Sequence, residues 1–280
     1  MGSSVRIIGA DVSASGSNGW NHTWITRGTV DEGAVALEEP IPAAELSGSP
    51  RSRRATYRAL RRELLSYDGP VVAGLDFPFS LPEAIVVEDD WHEFLEAFPT
   101  HFSGPGDFQE TCHGRSQLRT DGERKEIKRR CDDRFGGLCA YNRFIYRLTY
   151  FGVQDLLRPL VLSEQVTVWP FGNESRSAET TLVETYPAAT LQQRLGVDSE
   201  TYKDENDDPE FRREVTESIL GRESVSYAGE TDELFDLIGS DSKADAFDSL
   251  VAAFSTFKWH VDGGAELPEG VPDVEGWIHA

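Results

Sequence analysis

Cysteine is scarce: the 280 residues hold three, an odd number. That excludes a disulfide scaffold and fits a reducing compartment. No apolar run approaches the roughly 20 residues of a membrane-spanning helix. Met1-Gly2-Ser3-Ser4-Val5-Arg6 does not read as a secretory leader. The expectation is a cytoplasmic chain with no membrane contact. Lysine supplies only 5 of the 27 basic residues, and arginine the rest. Also missing are the Gly-x-x-x-x-Gly-Lys-Ser/Thr phosphate loop, the Gly-x-Gly-x-x-Gly turn and the Gly-x-Ser-x-Gly elbow, which argues against the common nucleotide folds and serine hydrolases.

What is present is acid. Asp and Glu number 49, for a net charge of −22. Such a chain repels bulk nucleic acid unless its few cations are gathered. The lysine-poor, acid-rich composition resembles that of halophile proteins, for which molar salt, with a Debye length of about 3 Å, screens self-repulsion. A hydrophobic fraction of 39% with 10% aromatics excludes whole-chain disorder. The cations are indeed gathered. Arg51 to Arg62 holds six arginines, Arg51, Arg54 and Arg58 among them, and no acid. Residues 115–147 hold ten cations, including Arg124, Lys128, Arg129 and Arg130, against five acids. Residues 198–245 reverse the balance, with sixteen acids against five bases. The two basic segments are candidate nucleic-acid contacts, each with a solvated helix face as the plainer reading.

Val5 to Val12 reads as a buried strand ending at Asp11, followed by a small-residue turn, Ser13 to Gly19. Asn21–Arg27 and Thr29–Leu37 read as two more strands joined at Gly28, an antiparallel meander. Residues 51–66 have the apolar spacing of a helix. Val71 to Asp76 is a second buried strand with a terminal aspartate. Residues 83–165 break the strand–helix rhythm and read as a helical, basic insertion or cap within one domain spanning 1–280. Val166 to Trp169 reads as a short strand, and Thr181 to Glu184 as another with a terminal carboxylate. Residues 209–221 and 231–239 read as acidic helices, and Lys243 to Lys258 as the last long helix.

Asp11, Asp76 and Glu184 therefore end three strands, while Asp245 and Asp248 share one face of the last helix. Each acid alone has a plainer role as a turn or cap residue. Together they are costly to bury without a cation among them. Two Mg²⁺ or Mn²⁺ ions suit such hard oxygen ligands and support phosphodiester hydrolysis. Cys112, Cys131 and Cys139 match no zinc spacing and read as buried thiols. The histidines show no spacing that signals a triad. Asn21-His22-Thr23 and Asn173-Glu174-Ser175 match a glycosylation pattern that means little without export.

The element order resembles that of the ribonuclease H-like fold. Lys243-Ala244-Asp245-Ala246-Phe247-Asp248-Ser249-Leu250 resembles the acidic terminal-helix motif of RuvC-type Holliday-junction resolvases, with Ser249 where alanine is usual. Gly9-Ala10-Asp11 through Gly19-Trp20, Leu75-Asp76-Phe77-Pro78, Val183 to Ala189 and Glu275-Gly276-Trp277-Ile278 resemble the family numbered 429 among domains of unknown function, classed as predicted ribonuclease H-like nucleases. The resemblance does not cover 83–165. It implies an α/β fold with a mixed five-stranded sheet, an antiparallel meander first and parallel strands after, flanked by helices. It implies a metal-dependent nuclease in which Asp11 contacts both ions, Asp76 and Asp248 or Asp245 complete the site, and Glu184 adds a ligand or orients water. DNA or RNA would be the partner, and a homodimer is an allowed assembly. Two alternatives stay open: a phosphotransferase or ATPase of the sugar-kinase/actin superfold, and a non-catalytic ribonuclease H-like binding protein.

Overall fold

The computed structural model describes residues 4–172, 178–198, 208–264 and 266–280; Asn173-Glu174-Ser175 lies outside the described residues. Val5–Asp11 (β1) lies mid-sheet and pairs antiparallel with Trp24–Asp31 (β2). β2 pairs antiparallel with Ala34–Leu37 (β3) and, at its start, with Ile41–Pro42 (β4). On its other side β1 pairs in parallel with Val71–Asp76 (β5), and β5 in parallel with Thr180–Thr185 (β7). Val166–Val168 (β6) and Ile278–His279 (β9) line successive halves of the far edge of β7, and Val225–Tyr227 (β8) closes the edge beside β3. The mixed α/β sheet thus has nine strands, not the five expected. Of the four additions, β6 is the short strand read over 166–169; β4, β8 and β9 are two or three residues long, too short to leave a periodic signal.

The meander is also drawn differently. Gly28 is not a turn: it sits mid-strand in β2, opposite Leu37. The chain reverses at Glu32 and Gly33, with φ of 48° and 83°. Two positive φ values in succession make the tight hairpin turn whose twist matches its strands.

Alternation along the strands sends side chains to two apolar layers. One face carries Ile8, Ala10, Ala73, Leu75 and Leu182. It is covered by Arg53–Leu64 (α1), capped by Ser52, through Tyr57, Leu60 and Leu64, and by the segment expected as an insertion. That segment holds Trp91–His101 (α2), Pro105–Arg119 (α3), Arg130–Phe135 (α4) and Tyr146–Phe151 (α5); α5 continues through a π-helical turn into Arg158–Leu162 (α6). Phe94, Phe98, Phe102 and Phe108 are buried there, with neighbouring ring centroids 4.9–5.9 Å apart. Each such ring contributes about 1.5–3 kcal/mol by leaving water. The segment is part of the main core layer.

The opposite face carries Ile7, Val30, Leu37, Val72 and Val183. Pro187–Thr190 (α7) follows β7 there, and Pro209–Leu220 (α8), Thr231–Ser240 (α9) and Asp245–Val261 (α10) cover the rest. Every residue of α10 from Ala246 to Phe257 is buried. The helix presses onto the sheet at two glycines: a Cβ on Gly9 would fall 2.0 Å from the Ala253 nitrogen, and one on Gly74 2.0 Å from Thr256 Oγ1. Gly9 and Gly74 are register partners, so together they form a trough for the helix.

Candidate functional site

Asp11 and Asp76 are register partners at the last positions of adjacent parallel strands. Side chains two apart on a strand share a face. Asp11 therefore points to the face of Gly9, and Asp76 to that of Gly74, the face α10 covers. The first turn of α10 is fixed over this end of the sheet. Thr26 of β2 and Ser249 of α10 join hydroxyls at 2.8 Å, and Thr26 pairs with Gly9 in register. Asp245 and Asp248 occupy that turn, where carboxylates complement the helix dipole. Neither acts as its cap. Ala244 adopts φ 59° at the cap position, and the side chain of Asp241 accepts from the Lys243 and Ala246 N–H groups at 3.1 and 2.9 Å. Asp241 thus takes the plainer role the sequence offered to Asp245 and Asp248. Asp248 is buried.

Asp245 has a partner that sequence reading missed: His22 Nδ1 lies 2.7 Å from its Oδ2, and Asn18 Nδ2 lies 3.3 Å from Nε2 of the same ring. Burial pushes the Asp245 carboxyl up, His22 opposes that, and Asp241 and Asp248 push it further. The residues are 223 apart in sequence, so no spacing announces the pair.

Glu184 does not join these acids. Val183 and Thr185 are on the α10 side of β7, as the contact of Thr185 Cγ2 with the Cβ position of Gly74 shows. Glu184, between them, faces the cap segment. There it meets Arg129, whose Nη1 and Nη2 donate to its Oε2 and Oε1 at 2.8 and 2.6 Å, while the Phe79 N–H donates to Oε2 at 2.9 Å. Arg129 also donates from Nε and Nη2 to Asp132 at 3.1 and 2.8 Å. Arg129 is fully enclosed. Burial works against its cation, and Asp132 and Glu184 more than reverse this. Burial raises the Glu184 carboxyl, and Arg129 opposes the rise. Two expectations are corrected here. Arg129 is an interior ion-pair residue, not a surface phosphate contact. Glu184 has its charge answered by the protein.

The other named cations do lie on the surface: Arg51, Arg54, Arg58, Arg124, Lys128 and Arg130 are exposed. Cys112, Cys131 and Cys139 are free and buried, and burial raises all three thiols, Cys139 to about 12. Asp76 and Glu184 line one cavity of about 160 Å³ where β5 and β7 end. Among the described residues no group of three or more His, Cys, Asp or Glu is arranged to hold a metal ion, and no helix is long and apolar enough to cross a membrane.

The donors Asp11, Asp76 and Asp248 are all carboxylate oxygens, the chemistry that suits Mg²⁺ or Mn²⁺. In arrangement they do not form a finished metal site among the described residues. Compared with family models, with curated proteins and with solved structures, the chain finds no match, so the resemblance to ribonuclease H-like nucleases rests on the residues that carry it.

Proposed function

We propose that this chain is a nuclease built on a ribonuclease H-like core, hydrolysing phosphodiester bonds of nucleic acid with divalent metal. The observation that carries the reading is the register pairing of Asp11 with Asp76 on the face covered by α10, whose first turn brings Asp245 and buried Asp248. The central strand order β3-β2-β1-β5-β7, with β2 alone antiparallel to its neighbours, supports the core assignment.

Asp11, Asp76 and Asp248 are the residues that would hold the ions. Bound divalent ions supply an activated water and stabilise the leaving oxygen. Asp245 takes a different part: it orients His22 at the rim of the site. Glu184 leaves the ligand set and instead ties the cap segment to the sheet. Exposed arginines of α1 and of residues 115–147 would hold phosphates, an attraction that weakens steeply as salt rises.

The test is a panel of labelled single-stranded, duplex and branched DNA and RNA with Mn²⁺. Asp11→Asn is expected to lower cleavage by at least about 100-fold, the scale of losing an electrostatic contact in the transition state, while melting as the wild type does. Full activity in Asp11→Asn, or no cleavage of any substrate by the wild type, overturns the reading. Mn²⁺ alone should raise the melting temperature of the wild type more than that of the variant.

A further inference from the structure

Residues 134–147 hold three arginines, Arg134, Arg143 and Arg147, and no acid, in a chain with 49 acids. All three are exposed. Among the described residues none of them is in an ion pair, unlike Arg6, Arg27 and Arg129. Between Arg143 and Arg147 lies Phe144, 70% exposed and the only exposed Phe, Tyr or Trp among the described residues. The Arg143 guanidinium carbon stands 4.5 Å from the centre of its ring, so cation and ring present one joint surface.

The turn that carries these side chains is firmly built. Tyr141 before it is buried, and Ile145 and Leu148 after it line the cavity at the ends of β5 and β7. Asn142 ties the turn together. Its Nδ2 donates to both Glu126 carboxylate oxygens at 3.0 and 2.9 Å, and its Oδ1 accepts from the Phe144 N–H at 3.0 Å. Its carbonyl accepts from the Ile145 and Tyr146 N–H groups at 3.0 and 2.9 Å. The ring is thus held in water by a hydrogen-bonded turn whose next residue is anchored inside. Asp76 and the exposed Leu138 line the same cavity, so the turn stands at its mouth, on the edge where β5 ends.

We propose that Phe144, with Arg143 and Arg147, is a stacking platform for a base of single-stranded nucleic acid. A single strand supplies both groups the surface calls for in each repeat: an anionic phosphate and a base with an open π-face. A duplex keeps its base faces stacked inside, out of reach of a ring on a turn. An acidic peptide answers the arginines and leaves the ring unserved. The inference deepens the nuclease reading, and rests on it for the choice of a nucleic acid as occupant. It names single strands as the substrate class and places their binding in the 83–165 segment, beside the strand end that carries Asp76.

The test is fluorescence anisotropy with labelled oligothymidylate, oligouridylate and a DNA duplex of equal length, in Ca²⁺ to suppress cleavage and over a series of salt concentrations. The first two probes distinguish DNA from RNA as the source. Phe144→Ala is expected to weaken single strands about ten-fold, the scale of one stacked base, at every salt concentration, with duplex binding and melting unchanged. Phe144→Leu, which keeps apolar bulk without a ring, should lose as much. Arg143→Gln with Arg147→Gln should flatten the dependence of log affinity on log salt by about 1.4, or about 0.7 for each phosphate contact. Wild-type affinity in Phe144→Ala or Phe144→Leu overturns the platform, as does an equal loss on single strands and duplex, or no binding of any single strand. If polyglutamate displaces the strand as well as unlabelled oligothymidylate does, the occupant is an acidic peptide and the proposal falls. Strands that bind through Phe144 but are not cut in Mn²⁺ leave the platform standing and end the nuclease reading. Strands that are cut, and that Phe144→Ala binds as the wild type does, leave the nuclease reading standing and end the platform.

Discussion

The two sides of the sheet treat their terminal acids in opposite ways. On the cap side, Glu184 and Asp132 flank one arginine, and the charge is balanced from within. On the α10 side, Asp11 and Asp76 stand beneath a helix turn that brings further carboxylates, and Asp245 feels both Asp241 and Asp248. A buried arginine between two acids is a fastening. Acids directed toward acids raise the local cost of negative charge, and that cost falls when a cation binds. The difference gives one side a holding role and leaves the other as the side to which the proposed chemistry is assigned, although the strands β5 and β7 that carry Asp76 and Glu184 are neighbours in one sheet.

That contrast breaks first at Arg129. Arg129→Met leaves two enclosed carboxylates without their cation, an expected loss of about 3–5 kcal/mol in denaturant unfolding. Adding Glu184→Gln should recover part of it, and a loss under 1 kcal/mol in the single variant would remove the fastening role. Next comes His279, where β9 meets α10 and Ser255 Oγ donates to its carbonyl. Burial, with Arg194 nearby, lowers its imidazole to about 4. A depressed histidine contributes stability that is whole above its unfolded value of 6.5 and is lost as pH falls toward 4. The stability difference between wild type and His279→Gln should therefore shrink by up to about 3 kcal/mol over that range. A difference that stays flat with pH places the histidine elsewhere. Gly9→Ala tests how tightly α10 sits: about 1–3 kcal/mol should be lost, as for other overpacked sites, with melting as the readout. The smallest effect is Asp241→Ala, which removes the cap of α10 at about 1 kcal/mol. If Asp241→Ala proves neutral, Asp245 or Asp248 is capping after all, and the chemical side of the contrast weakens.

Strand-end acids were visible in the sequence because a short apolar run that stops at Asp11 or Asp76 has few readings. Which side of the sheet each acid faces was not. A one-residue offset decides it, and the register of β7 against β5 sets that offset through pairing of residues more than a hundred apart. Arg129 was hidden for a related reason. It lies in a basic run, which reads as surface, and its burial depends on Glu184, 55 residues later. His22 and Asp245 are farther apart still. Gly28 reads as a turn because a glycine that interrupts two strand-like runs, here between Arg27 and Thr29, resembles one, while Glu32-Gly33 is the pair whose φ values make one. The helical segment 83–165 was recognised as strand-free, but its aromatic layer reads in sequence as a separate cap and belongs in fact to the main core.

The trough formed by Gly9 and Gly74 has a consequence for how the chain is born. The first strand emerges from the ribosome some 240 residues before the helix that covers one side of it. At ordinary synthesis rates that is an interval of about ten to fifty seconds. Through that interval Ile7 and Val72 have no lid, and the strands that present them offer a sticky face to any other nascent chain. Final assembly must then be a late, long-range event, of the kind that topology makes slow. In vivo yield should accordingly depend on holdase chaperones more than the finished molecule's stability would suggest.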